Sequence, residues 1–263
     1  MNESGIEHFA NLVEAAADGQ HVRLAEIALA LAAVLAPDEV DIDHRLAQLD
    51  SIARLVLTPD LAGVNELLFD ELGFRGNSGQ YYSPANSRLD LVLDNRTGIP
   101  ITLAVLMADV GGSVGLELSL TNSPGHVLVV DRLSGLWYDA FNRGAELNRD
   151  GVEALLSPFV GGRRVTPAML RPAPPLQVVS RMLNNLRAIY SGSDDRSGLL
   201  AVERMTCAIP GADVRHHLVL ANLTADTGDL AGAAASLEAA AEANPGRSND
   251  LLKRATILRA RLN

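Results

Sequence analysis

The chain has one cysteine, Cys207, in 263 residues. An intramolecular disulfide is therefore excluded, as is a zinc site built from several thiolates, and a reducing compartment fits this usage. Aromatic residues amount to only 4%, so the core must be filled mainly by Leu, Val and Ala. That palette favours helices, because Ala and Leu lose little on entering one. Basic residues are also scarce: 22 Lys and Arg face 32 Asp and Glu, a formal net charge of -10. Nucleic-acid backbones are bound by clustered cations that displace counterions, so that partner class is not expected. Arg163, Arg164 and Arg171 form a loose basic trio that reads as solubilising. Long apolar runs are missing too. The longest, Ile99 to Ala108, is interrupted by Thr102 and falls well short of the roughly 18 residues a membrane helix needs. The start, MNESGIEHFANLVEA, lacks the basic and then apolar pattern of a secretory signal. The expectation is a soluble, cytoplasmic protein with neither nucleic-acid nor membrane partners.

What is present begins with helical spacing. Ile6, Phe9, Leu12, Val13 and Ala16 form one stripe; Leu24, Ile27, Ala28, Leu31 and Leu35 form a second that stops at Pro37. A third helix starts near Asp43. Thr58 as cap and Pro59 at the first helical position predict a fourth, running to Gly73. The first 75 residues thus read as a helical layer. A loop rich in Gly, Ser and Pro follows, residues 76–85, with adjacent Tyr81 and Tyr82; these rings either serve a functional loop or cover the neighbouring core. Leu89, Val92 and Leu93 mark another helix to about Arg96. Pro100 then opens a central helix, where its missing N–H costs nothing, and Gly111-Gly112 is expected to break it.

Leu116, Leu118 and Leu120 alternate with polar residues, the period of a half-buried strand. Ser123-Pro124-Gly125 turns the chain into a strand from His126 to Asp131, and Leu133 to Gly135 turns it into a third from Trp137 to Phe141. Five prolines between Ser157 and Leu176 read as a linker. Helices at repeat-like spacing follow to the C-terminus, and AGAAASLEAAAEANP has the small-residue pattern of a tetratricopeptide-type hairpin. The domain expectation is 1–156 for an α+β core with its helical layer, 157–176 for the linker, and 177–263 for an all-α domain.

The hairpin can be tested by parity. If Asp131 pairs with Leu136, partner numbers sum to 267; a tighter turn makes them sum to 269. Both sums are odd, so His126 and Asp139 share a sheet face in either register. A carboxylate beside an imidazole fixes its tautomer and raises its basicity, two parts of a nucleophile, base and orienter triad. The plainer alternative is that His126 bonds nearby backbone while Asp139 caps a turn. A nucleophile would belong at the start of the central helix, where N–H groups bind an oxyanion. Pro100 stands there, with no reactive atom. Thr102 lies two residues further, roughly 200° around the helix, and reads as a structural hydrogen bonder. The other histidines add no metal pattern: adjacent His216 and His217 are not an i, i+4 pair, and His8, His21 and His44 read as solvated.

The segments LFDELGFRGNSGQYYSPANSRLDLVLDNRTGIPITLAVL, SPGHVLVV and WYDAFNRGAEL resemble the bacterial SirB-type family, a transglutaminase-like domain followed by tetratricopeptide-like helices. The resemblance spans nearly the whole chain and is tightest over 67–147. It implies a papain-like core in which His126 and Asp139 match the catalytic His and Asp, while Pro100 occupies the place of the cysteine. Cys207, beyond the linker, does not substitute. Tyr81, Tyr82, Asn86 and Asn142 are the candidates for contacting a substrate or partner. The expected function is a non-catalytic binding, scaffolding or regulatory module with a protein or peptide partner and no cofactor. The alternative is a cysteine-independent hydrolase or acyl transferase, with His126 and Asp139 activating water or the hydroxyl of Thr102 or Ser87.

Overall fold

The structure, a computed structural model, describes residues 3–121 and 123–262. Two helices are buried around most of their circumference. The first is α2 (Leu24–Leu35), buried without interruption from Ile27 to Val34; only one face was expected to be covered. The second is α6 (Pro100–Ser113), buried from Pro100 to Met107. The expected break at Gly111-Gly112 does not occur, because Gly111 receives the Leu118 side chain at a distance that a Cβ would fill. The helix ends two residues later, before Gly115 at φ +92.

The other helices of the first half are α1 (Glu3–Ala17), α3 (Ile42–Ala53), α4 (Leu61–Asn65) and α5 (Leu89–Asn95). The start of α4 departs from expectation. Asp60, not Thr58, is the cap: its carboxylate accepts the Gly63 N–H at 2.8 Å. An aspartate cap satisfies an otherwise orphaned donor, and it moves the helix start past Pro59. A π-helical turn, Glu66–Glu71, continues α4 and closes at Gly73, φ +74. Two short parallel strands, β1 (Arg75–Gly76) and β2 (Thr97–Gly98), then lead into α6, with Gly76 opposite Gly98.

The antiparallel sheet has four strands in sequential order: β3 (Leu118–Leu120), β4 (Val129–Asp131), β5 (Trp137–Asp139) and β6 (Ala145–Leu147). Three were expected. The fourth follows a turn at Arg143-Gly144, both at positive φ, whose polar sequence masks it. In the central hairpin Val129 faces Tyr138 and Val130 faces Trp137, the register whose partner numbers sum to 267. His126 precedes the ladder instead of lying in it.

After α7 (Arg149–Leu156), the proline-rich stretch carries structure of its own. Val160, Val165 and Leu170 pack with Leu128, Val152 and Leu156 in one apolar cluster, and turns at Ser157–Phe159 and Pro167–Leu170 shape it. Proline interrupts periodicity without preventing burial. The remaining helices are α8 (Pro175–Gly192), α9 (Arg196–Ala208), α10 (Val214–Asp226), α11 (Leu230–Ala243) and α12 (Ser248–Ala260).

The chain forms two compact units, His21–Met182 and a smaller one of Met1–Gln20 with Leu183–Asn263. These divisions differ from residues 156 and 176 named from composition. In the smaller unit α1 packs on α9, and α9 to α12 each pack on the next. Its core is largely alanine: Ala221, Ala233, Ala234, Ala240, Ala241 and Ala255 around Leu237 and Leu251. The larger unit holds the sheet, α2, α6 and the candidate site.

Candidate functional site

The start of α6 is held by one hydroxyl. Thr102 is fully buried; its Oγ1 accepts the Ile99 N–H at 3.2 Å and donates to the Asn86 carbonyl at 2.7 Å, with the Ile99 carbonyl at 3.1 Å. The Thr102 oxygen lies 2.8 Å from where a Cβ on Gly98 would sit, so the close approach needs glycine there. Asn86 extends the brace. Its Nδ2 donates to the carbonyls of Gln80 at 2.6 Å and Tyr81 at 3.1 Å, and its Oδ1 accepts from Asn77 Nδ2 at 3.0 Å. Both ends of the buried amide are therefore used inside the loop. Asn86 positions the tyrosine loop. Pro100, at the first helical position, is buried and offers no nucleophile.

The second part comes from the sheet. Gly125, at φ +67 beneath the Phe159 ring, turns the chain so that His126 enters the interior. His126 is 6% exposed and Asp139 2%, and His126 Nε2 lies 2.7 Å from Asp139 Oδ1. The same oxygen accepts the N–H groups of Phe141 at 3.1 Å and Asn142 at 3.3 Å. Asp139 thus partners the imidazole and caps the Ala140–Asn142 turn at once, so the two readings of it from sequence coexist. In the tautomer that carries its proton on Nε2, His126 donates to Asp139 and Nδ1 is the imidazole's acceptor. No group among the described residues bonds Nδ1.

A chain of contacts links the two parts. The Phe141 ring stands edge-on to His126, centroids 6.0 Å apart at 90°, and edge-on to Tyr81 at 6.1 Å and 68°. It also lies over Gly76, where a Cβ would meet it at 2.6 Å. Gly76 pairs with Gly98, two residues before Pro100, and α6 packs against the 140–142 turn. Tyr82 meets Tyr81 edge-on at 5.3 Å and is 79% exposed; Asn142 is also exposed. Burial pushes the Tyr81 phenol above its ordinary pKa, with Arg181 partly offsetting this. Arg181 is itself mostly buried, which lowers its pKa, and its Nη1 donates to the Ser123 carbonyl at 2.6 Å.

Sequence reasoning missed Phe141, Phe159 and Arg181. Phe141 carried a signal, its place in the D-x-F-N motif beside Asp139. Arg181 carried none, being 42 residues beyond Asp139. Ser87 is fully buried and its hydroxyl has no partner among the described residues. Cys207 belongs to the smaller unit, where burial and then Glu203 push its thiol up to about 12. His216 bonds Glu203 there through Nδ1 at 2.9 Å, and His8, His21 and His44 are exposed. Among the described residues no three His, Cys, Asp or Glu side chains converge as metal ligands, and no helix is long and apolar enough to cross a membrane.

Residues 17–184 match the family model described as the transglutaminase-like superfamily. The chain belongs to the transglutaminase-like superfamily. A UPF0162 protein of Xylella fastidiosa strain Temecula1 is 35% identical over 158 residues, 57% of this chain and 56% of that protein. The chain therefore spans little more than half of that relative's length. A UPF0162 protein of Vibrio cholerae is 28% identical over 213 residues, 75% of this chain and 74% of its own. F-box only protein 21 of Mus musculus is 32% identical over 139 residues, 49% of this chain but only 21% of that protein. No solved structure matches significantly. Within this transglutaminase-like chain both His126 and Asp139 fall inside the matched residues.

Proposed function

We propose that this chain is a SirB-type transglutaminase-like protein that binds a protein or peptide partner and performs no thiol chemistry. The observation that carries the reading is Pro100, buried at the start of α6, which by the family resemblance stands where the transglutaminase pattern has cysteine. The Thr102 hydroxyl is committed to the Asn86 carbonyl, the Ser87 hydroxyl is fully buried, and Cys207 lies in the smaller unit. Beside the oriented imidazole stands the Phe141 ring, followed by Tyr81 and then Tyr82, with the buried Arg181 guanidinium acting on Tyr81. Such a mixture of apolar rings and a few fixed polar groups suits recognition of a chain segment. The smaller unit supplies a stack of helices of tetratricopeptide-like character, whose outer faces serve as a second surface for a protein partner. Fold membership alone does not confer the activity of the fold's enzymes.

A hydrolytic or acyl-transfer reading rests on the His126–Asp139 bond, which makes Nδ1 an acceptor in the tautomer that carries its proton on Nε2. That arrangement suits a general base acting on water. One experiment separates the two. The purified chain is incubated with a panel of amide and ester substrates, and intact-mass spectrometry looks for an acyl adduct; in parallel, the tagged chain is used to capture partners from native extract. Binding without adduct or turnover is expected. Turnover that disappears in His126→Ala, with nothing captured, would overturn the binding reading.

A further inference from the structure

Acidic side chains are sparse around His126. The chain has 32 Asp and Glu in 263 residues. Yet residues 76–87, 97–108 and 118–130, which carry the tyrosine loop, the start of α6 and His126, contain none, and neither does 154–182. That last segment instead holds Arg163, Arg164, Arg171 and Arg181. Asp139 does enter the site, but it is buried and bonded to His126.

Tertiary contacts wrap the arginine segment around the turn that leads to His126. At one end Pro172 bridges Thr121, and Ala173 N–H donates to the Leu120 carbonyl at 2.7 Å. The Ser123 hydroxyl donates to the Met169 carbonyl at 3.1 Å, Arg181 Nη1 to the Ser123 carbonyl at 2.6 Å, and the Phe159 ring lies over Gly125. Arg171 adjoins Pro172 in sequence, while Arg163 Nε bonds the carbonyl of Val160, the residue after Phe159, at 3.3 Å. Arginines therefore stand at both ends of the turn before His126. Arg163, Arg164 and Arg171 are exposed. Among the described residues none of the three has an ion pair, whereas Arg45, Arg88 and Arg143 each hold a carboxylate. Phe159, 49% exposed, adds an apolar surface beside them.

Like charges that share a surface without counter-charges repel one another, and carboxylates placed among them relieve that repulsion. Guanidinium forks also match carboxylate geometry. A nucleic-acid backbone would run beyond these arginines onto a chain of net charge -10, whereas a short acidic segment meets the arginines alone. We propose, resting on the peptide-binding reading above, that this surface selects a short acidic peptide segment of another protein, its carboxylates on Arg163, Arg164 and Arg171 and an apolar side chain against Phe159.

To test it, the full chain is immobilised and offered a pool of capped octapeptides with Glu, Gln or Lys at alternate positions and Phe, Leu, Ala or Ser at the others, and mass spectrometry reads what is retained. Glu members should be retained roughly tenfold over their Gln counterparts, the sum of a few modest surface ion pairs, and the preference should vanish in about 0.5 M sodium chloride. The triple variant Arg163→Gln, Arg164→Gln and Arg171→Gln should bring Glu members down to the Gln level, while lysine at the same three positions should keep most of the preference. A matched triple in the smaller unit, Arg247→Gln, Arg254→Gln and Arg261→Gln, should change nothing. Equal retention of Glu and Gln members by the parent would overturn this proposal and leave peptide binding standing; retention of no member would overturn both. An equal loss in the smaller-unit triple would assign the preference to net charge and overturn the proposal. So would a labelled DNA single strand of about 20 nucleotides that binds more tightly than the Glu members, a sign that the arginines serve phosphates.

Discussion

The two units differ in what their buried polar side chains hold. In His21–Met182 side-chain pairs such as His126–Asp139 and Arg88–Asp90 stand beside residues that hold main chain: Asn86 binds the carbonyls of Gln80 and Tyr81, Thr102 that of Asn86, and Asp139 the N–H groups of Phe141 and Asn142. In the smaller unit the buried cluster joins side chain to side chain. Glu203, 1% exposed, meets Arg187 at 2.6 Å and His216 at 2.9 Å, and Arg187 reaches Thr206 at 2.7 Å. The cause is regularity. Helices satisfy their own backbone groups, whereas the irregular chain entering α6 needs side chains to do so. Buried polarity in the larger unit therefore shapes the candidate site, while in the smaller it ties finished helices together.

The contrast can be broken by mutation. The largest effect is expected from Asn86→Ala, which strands two carbonyls and frees the tyrosine loop, at a cost of roughly 3 kcal/mol by urea denaturation. Asp60→Ala should cost about 1 kcal/mol, the usual worth of a helix cap; a larger loss would mean that this cap also holds the chain before α4. The smallest change belongs to the triple variant Arg187→Met, Glu203→Met and His216→Leu. Replacing a whole buried ionic cluster by apolar residues of similar size is often neutral or stabilising, so its stability should stay within about 1 kcal/mol of the parent. If it loses as much as Asn86→Ala, the proposed difference between the units is wrong.

Cys207 sharpens the same comparison through pH. A thiol held up to about 12 keeps its proton in the folded chain after the unfolded chain has begun to lose it. Its contribution to stability is complete below the ordinary thiol pKa and disappears as pH rises towards 12. Alkylation of the native protein should accordingly be slow at pH 8 and accelerate only in strong alkali, while alkylation in urea is fast. Rapid native labelling at pH 8 would place the thiol outside the helical core.

Local signals carried the sequence expectations furthest. The helices after Gly192, the proline start of α6 and the parity of the β4–β5 hairpin depend on neighbours in sequence, and these were legible. The Ala145–Leu147 strand was not, since three residues after a turn of positive-φ positions carry no period. The burial of α2 on every side was hidden because an Ala- and Leu-rich helix presents the same stripe whether one face is covered or all of them. Val160, Val165 and Leu170 were hidden by the prolines among them.

By itself the sequence determined that no thiol stands at the start of α6, and that β4 and β5 pair with an odd partner sum. Both follow from residue identity and a period of two. Tertiary structure alone decided that one Asp139 oxygen serves imidazole and turn together, that Phe141 spans from His126 to Gly76, and that Asn86 braces its own loop. Each of these depends on atoms brought together from distant parts of the chain, and hydrogen bonds and ring contacts act only over a few ångströms.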